Sequence, residues 1–423
     1  MNRVFCLPAS DLPNSRKLGT YFSLYSNPGH QDVGVIAQNW PHDLARIGFA
    51  PPDPVWDFVT IALAVIAADQ AVRRDVAVDG WTREIELTVS LRDPAPWKSR
   101  LPDLESILRY LTGDFWTLRI KDGGIPAPAR RLRTPRVGDC VSLLSGGIDS
   151  LIGGIDLVSN GRQPVFVSQT VKGDAHTQRV YAKSLGAANR HFQWSHRIHC
   201  PVQAERSTRG RSIGFLAFGA LAATVVNGYG SSTVPLVVPE NGFISLNVPL
   251  NSGRLGSLST RTTHPVFMER LQKLWASVGI QAQLQLPYQF KTKGEMMKDC
   301  LDQGLLVKLV GQSTSCSRFL RNKHTHCGKC VPCLVRRAAF LHAGLLDSTP
   351  KYKLQNLKKH GTTGADDVGA VAAACVRLAQ EGAHRWCAGS LTFAQPGTRS
   401  NYESIVARGL GELHGLLKQH GVL

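Results

Sequence analysis

A short apolar run from Val141 to Leu144 ends in Ser145-Gly146-Gly147-Ile148-Asp149-Ser150. A helical pattern from about Ser150 to Val158 follows, and then a second apolar run from Pro164 to Val167. A strand that turns through adjacent glycines into a helix and returns as another strand is a βαβ unit, which closes as a right-handed crossover between parallel strands. The alternation continues with a helix from about His176 to Leu185 and a strand from about His191 to Trp194. A helix from Ser212 to Val226 and a strand from Val234 to Val238 come next. The expected fold class is therefore α/β, a doubly wound parallel sheet. The glycine turn lies where a strand ends and a helix begins, so exposed backbone N–H groups and the helix dipole favour an anion there.

At 423 residues the chain is longer than one compact core usually accommodates, so more than one domain is expected. Residues 1–120 read as an N-terminal α+β accessory domain. Asp53 as N-cap and Pro54 at the first helical position open an apolar helix through Ile66. From Trp81 to Leu91, Arg83, Ile85, Leu87, Val89 and Leu91 share one face and Glu84, Glu86 and Thr88 the other, which predicts a half-buried strand. Leu104, Ile107, Leu108 and Leu111 mark an amphipathic helix, and Asp114 to Ile120 another strand. Residues 121–138 are turn-rich and polar and read as a linker. Residues 139–345 form the α/β domain, and residues 346–423 a helical extension. Its last helix, Tyr402 to His420, carries Ile405, Leu410, Leu413, Leu416 and Leu417 on one face for packing.

In the glycine turn, Gly146 and Gly147 let the backbone approach phosphate, while the hydroxyls of Ser145 and Ser150 can donate to its oxygens. Asp149 suits Mg²⁺ or the loop geometry. The Lys required by GxxxxGK[ST] is absent, which disfavours γ-phosphate transfer. The SGGxDS pattern resembles the PP-loop of the ATP pyrophosphatases. That resemblance implies a Rossmann-like scaffold and ATP held by Ser145, Gly146, Gly147, Asp149, Ser150 and Ser168. It also implies transfer of AMP to a substrate oxygen, with pyrophosphate leaving.

Cys316, Cys327, Cys330 and Cys333 are spaced C-x10-C-x2-C-x2-C, and overlapping C-x2-C steps can turn thiolates towards one tetrahedral Zn²⁺. A zinc knuckle is expected over 316–333, structural because four protein ligands leave no open position. His324 and His326 are close enough in sequence to replace Cys316, and a redox disulfide is the competing use of these thiols.

A PP-loop followed by such a cysteine cluster is similar to the 7-cyano-7-deazaguanine synthase, or QueC, family over roughly 139–345. The long form, with its extra N- and C-terminal parts, resembles the QatC-type, QueC-like proteins of the Qat anti-phage systems. The resemblance implies ATP-dependent adenylation of the carboxylate of 7-carboxy-7-deazaguanine. An amide or nitrile then forms, with ammonia or a partner protein as the amine. It carries the zinc ligands onto the four cysteines and points to Gly210-Arg211-Ser212 with Phe215, and to Thr292-Lys293-Gly294-Glu295. The expected catalytic residues are Asp149, Ser150, Arg211 and Lys293, and the expected substrate-binding residues Phe215, Glu240, Asn241 and Arg261. Glu240-Asn241-Gly242 follows a strand, at the sheet edge where doubly wound folds bind ligands. The stretch Ser257-Leu258-Ser259-Thr260-Arg261-Thr262-Thr263 departs from the biosynthetic pattern.

A formal charge of +18 attracts polyanions, so a tRNA-modifying PP-loop enzyme stands as an alternative, for which Cys200 is the one loose candidate for a thiolation cysteine. A non-catalytic, ATP-binding zinc scaffold in a defence complex is a third reading. Met1 to Gly19 lacks the continuous apolar core of a secretory signal, so a cytoplasmic location is expected. Phe58 to Ala68, the longest apolar run, falls short of the roughly 20 residues of a membrane span and reads as a buried helix. A deazaguanine and a protein of the same defence system are the expected partners, nucleic acid is not required, and no membrane is involved. The amine, the oligomeric state and the role of the first 120 residues stay open.

Overall fold

Asn2–Leu7 and Thr20–Leu24 show no alternation and escape a periodicity reading, yet both are strands of one sheet, the first buried at Val4, Cys6 and Leu7 and the second from Tyr21 to Leu24. The computed structural model describes residues 2–129, 137–170, 173–206, 208–250, 261–359 and 366–423. The strands are β1 (Asn2–Leu7), β2 (Thr20–Leu24), β3 (Val33–Ile36), β4 (Glu84–Ser90), β5 (Phe115–Lys121), β6 (Cys140–Leu143), β7 (Pro164–Gln169), β8 (His191–Trp194), β9 (Ile198–His199), β10 (Val234–Val237) and β11 (Ala282–Gln285). One sheet has the order β5-β4-β1-β2-β3-β9 and the other β11-β10-β6-β7-β8. The fold class is α/β with parallel-strand sheets.

By compactness the chain falls into two units. The first comprises Met1–Val141, Phe192–Leu236 and Thr260–Leu284; the second comprises Ser142–His191, Val237–Ser259 and Gln285–Leu423. The expected division at 120, 138 and 345 follows chain order, whereas these units interleave along the chain.

In the six-stranded sheet β5, β4, β1, β2 and β3 pair in parallel, and β9 runs antiparallel against β3. With helices between β3 and β4 and between β4 and β5, this region is α/β where the sequence pattern suggested α+β. The half-buried strand expected at 81–91 is instead a central one, buried from Ile85 to Ser90. Glu86, on the face expected to meet water, is buried and paired with Arg119 at 3.2 Å and Arg3 at 3.6 Å. Period-2 polarity misleads when the polar face meets cations rather than solvent.

The apolar run becomes the helix Asp53–Ala71, capped by Pro52, one residue earlier than the Asp53 cap expected. Among the described residues it is the one helix long and apolar enough to cross a membrane, but 83% of its most apolar window is buried inside the protein. Its end is held by a buried ionic cluster. Arg83 bridges Asp69 at 2.5 Å and Asp114 at 2.6 Å, Arg74 meets Asp114 at 2.9 Å, and Asp69 accepts the backbone N–H groups of Arg209 and Gly210 at 2.6 Å. Charges this deep are tolerable because each is paired and hydrogen-bonded. The expected linker begins anchored, with Gly124 N–H on the Leu91 carbonyl and the Trp56 indole on the Ile125 carbonyl; residues 130–136 lie outside those described.

The second unit surrounds the helix Ile148–Ser159, which buries Leu151, Ile152 and Ile155 against Phe166, Tyr181, Met297 and Phe340. A Cβ on Gly153 would stand 2.3 Å from Pro239, so a glycine there lets the helix lie directly against the residue before Glu240. The C-terminal helices Val368–Trp386 and Pro396–Gln419 pack with Val331–His342 around one core, which takes in Ile405, Leu410, Leu413, Leu416 and Leu417.

Candidate functional site

The glycine turn joins β6 to the helix Ile148–Ser159. Gly146 has φ +89°, a left-handed conformation that L side chains resist, and its carbonyl accepts the Thr314 N–H at 3.0 Å. Gln178, fully buried, donates to the Ser145 carbonyl at 3.2 Å and the Gln169 carbonyl at 3.3 Å. Ser145 Oγ donates to Ser150 Oγ at 3.1 Å, and Ser150 Oγ donates to the Gly147 carbonyl at 3.0 Å, so both hydroxyls brace the turn. Gly147 caps the helix, and no side chain occupies the capping position. This helix start is one that an anion can complete.

Asp149 stands in the first helical turn, buried, and two segments of the second unit converge on it. Lys293 pairs with Asp149 Oδ1. Asn241 Nδ2 donates to Oδ2 at 2.7 Å, and Glu240 adds a further hydrogen bond. Burial works against the Asp149 carboxylate, yet the Lys293 charge and then the bonds from Glu240, Lys293 and Asn241 hold it below the usual range. Burial, followed by the neighbouring Asp149 charge, pushes Glu240 well above it. The two shifts run in opposite directions, so of the pair Glu240 is the better proton holder and Asp149 the better carboxylate, with the Lys293 charge facing it.

Two local devices present these partners. Asn241 caps the helix Gly242–Leu246 through Oδ1, which accepts the Ile244 N–H at 3.0 Å and leaves Nδ2 for Asp149. Thr292 and Glu295 form a capping box that fixes the start of the helix Lys293–Lys298.

The raised titration of Glu240 has a testable sign. A carboxyl whose folded value exceeds its unfolded one contributes stability below the ordinary value of 4.5 that is lost as pH rises through the folded value. Glu240→Gln should therefore unfold at a higher temperature than the wild type at pH 8, with the two melting curves converging near pH 4.5. The wild-type slope from this group is at most about 1.4 kcal/mol per pH unit. Equal midpoints at pH 8 would show Glu240 ionised beside Asp149.

The four cysteines are buried with their sulfur atoms all within 4.8 Å of one another. Cys327 and Cys333 are 3.8 Å apart and Cys330 and Cys316 4.0 Å, near the roughly 3.8 Å edge of a tetrahedron built on zinc–sulfur bonds of about 2.3 Å. Backbone N–H groups of Arg318 and Cys327 point at the Cys316 sulfur, and that of Cys330 at the Cys327 sulfur. Gly328, at φ +90°, makes the turn between the C-x2-C steps, where a Cβ would meet the Leu354 carbonyl at 2.3 Å. The cluster could hold a metal such as zinc. Cys316 belongs to the set, and His326 instead accepts the Ser315 N–H at 3.2 Å.

The other expected residues are placed differently. Ser168 is fully buried; its hydroxyl donates to the Leu144 carbonyl at 2.6 Å and contacts His191 Nε2 at 2.8 Å. Burial, with Arg179, holds that histidine down at about 4, so it is neutral and can donate to the Ser168 oxygen. Arg211, Phe215 and Arg261 belong to the first unit. Arg211 opens the helix Arg211–Ala223, which also carries Phe215, and Arg261 lies over the Tyr110 ring at 4.6 Å and donates to its carbonyl. Ser257 to Thr260 lie outside the described residues. Sequence reasoning missed Gln178 and Thr314, which buttress the turn from distant segments and carry no motif of their own. No protein-family model matches the chain, and no curated protein matches it.

Proposed function

We propose that the chain is an ATP-dependent C–N ligase that adenylates a carboxylate and releases pyrophosphate, with 7-carboxy-7-deazaguanine as the carboxylate that the PP-loop and cysteine pattern favour. The carboxylate oxygen attacks the α-phosphorus, the bond to the bridging oxygen breaks and pyrophosphate leaves; an amine then displaces AMP from the acyl group. Its setting is the cytoplasm, within an anti-phage system, and the amine belongs to ammonia or a partner protein.

The observation that carries this reading is the convergence of Lys293 and Asn241 on Asp149, directly behind a glycine turn whose helix start lacks a side-chain cap. Such a turn receives phosphate oxygens on backbone N–H groups, and a nearby buried ammonium stabilises the charge that develops on a leaving diphosphate. Both Asp149 oxygens already have partners, so Asp149 organises Lys293 and Asn241, and Mg²⁺ is best assigned to phosphate oxygens and water. The thiolation alternative draws no support from Cys200, whose thiol burial pushes up rather than down.

The test is pyrophosphate release from ATP across a panel of carboxylates, 7-carboxy-7-deazaguanine included, with products and candidate partner proteins weighed by mass spectrometry. Release specific to one acid, with a matching amide, nitrile or protein adduct, is the expected result. ATP binding with no release on any acid would favour the non-catalytic scaffold.

A further inference from the structure

The C-terminal helix Pro396–Gln419 touches both segments that hold Asp149. Glu412, buried on this helix, accepts the Thr292 hydroxyl and, through Oε2, the Gly294 N–H at 3.3 Å. These two residues flank Lys293. Gly294 makes the approach possible: a Cβ there would stand 2.5 Å from the Glu412 carboxylate and 2.8 Å from His342. One turn earlier, Arg408 donates to Glu295 Oε1 and to the Phe290 carbonyl, both at 2.6 Å, closing the other side of the same capping box.

The second segment is held by shape. A Cβ on Gly409 would meet the Phe243 ring at 2.4 Å, and one on Gly242 would lie 3.3 Å from Ile405. The helix therefore lies close along Gly242 and Phe243, the residues that follow Asn241. A buried carboxylate is costly to retain on a helix that needs only an apolar face for packing, so its two hydrogen bonds around Lys293 call for a purpose beyond cohesion.

We propose that this helix braces the catalytic pair, with Glu412 as a positioning residue that fixes Lys293 against Asp149. The inference rests on the ligase reading above and gives the C-terminal extension a role in it.

The experiment follows Lys293 directly. The full-length protein and Glu412→Gln are pulsed with an amine-acetylating reagent and Lys293 modification is read by mass spectrometry, beside pyrophosphate release, zinc content and unfolding midpoint. Glu412→Gln removes one acceptor oxygen and should speed acetylation of Lys293 about tenfold while slowing pyrophosphate release by a similar factor. Zinc content should stay at the wild-type level. In a Lys293→Ala background Glu412→Gln should slow release no further, which a purely structural role would not produce. Unchanged acetylation of Lys293 would overturn the brace whatever the activity. A wild type that releases no pyrophosphate would sink the ligase reading, while the labelling still decides the placement of Lys293. Should Glu412→Gln not fold, Arg408→Gln loosens the same capping box from its exposed side and is read in the same way.

Discussion

Asp149→Asn is expected to abolish most ATP-dependent pyrophosphate release, by a factor of about 100 to several thousand. The substitution keeps the shape and removes the charge. Lys293 is then left buried without its counter-ion, and removing one partner of a buried pair typically costs about 3–5 kcal/mol. At about 1.4 kcal/mol per factor of ten, that energy matches the expected rate loss if Lys293 no longer holds its place. The amide also offers a donor where Lys293 and Asn241 both need an acceptor, so at least one hydrogen bond is lost outright. Asp149→Asn combined with Lys293→Met separates stability from chemistry, because it removes both charges. It should unfold nearer the wild-type temperature than the single variant and remain inactive. Recovery of activity in the double variant would show that the pair serves only the fold. The acid side has a definite sign as well. Because the Asp149 carboxyl is held below its ordinary 3.8, its contribution is present above that pH and disappears as pH falls through the lower folded value. The acid unfolding limb of Asp149→Asn should therefore be flatter than that of the wild type.

The sequence reveals the parts of this site that are local and hides those that are assembled. Strand, glycine turn and helix around Ser145–Ser150 follow one another within a few residues, so periodicity and turn chemistry place them within a residue or two. Asn241 and Lys293 are legible only as fragments beside helix starts; their meeting at Asp149 depends on chain that lies 92 and 144 residues away. Glu412 carries no signal at all, being one of two acids on an amphipathic helix, and it pairs 120 residues back. The first unit was the least legible for a different reason. β2 and β3 are buried strands of five residues or fewer and β1 is buried only towards its end, and such runs show neither the alternation of a half-exposed strand nor the 3.6 period of a helix. Glu86 further disguises β4 as a surface strand, because its buried carboxylate is paired with Arg119 and Arg3.

Cys333→Ser is expected to have the largest effect on stability. Cys333 is fully buried in the helix Val331–His342, whose Leu334, Val335 and Ala338 face one core of the second unit and whose Ala339 and Phe340 face the other. A metal on the cluster would pin the start of this helix to the turn at Gly328 and to the segment entering Cys316. Structural zinc contributes roughly 10–16 kcal/mol to small domains that depend on it. If losing one thiolate withdraws about a third of that, the midpoint falls by on the order of 10–20 °C, at about 2–4 °C per kcal/mol. Zinc measured by elemental analysis should drop from one equivalent to a small fraction, whereas Cys200→Ser, outside the cluster, should retain the full equivalent. The effect should also reach the nucleotide. Thr314, two residues before Cys316, donates to the carbonyl of Gly146, so a loosened knuckle slackens the glycine turn. Cys316→Ser should then weaken ATP binding more than Cys200→Ser does, read by calorimetry at a temperature where both proteins remain folded. A full equivalent of zinc in Cys333→Ser would show that the four sulfurs do not share one ion.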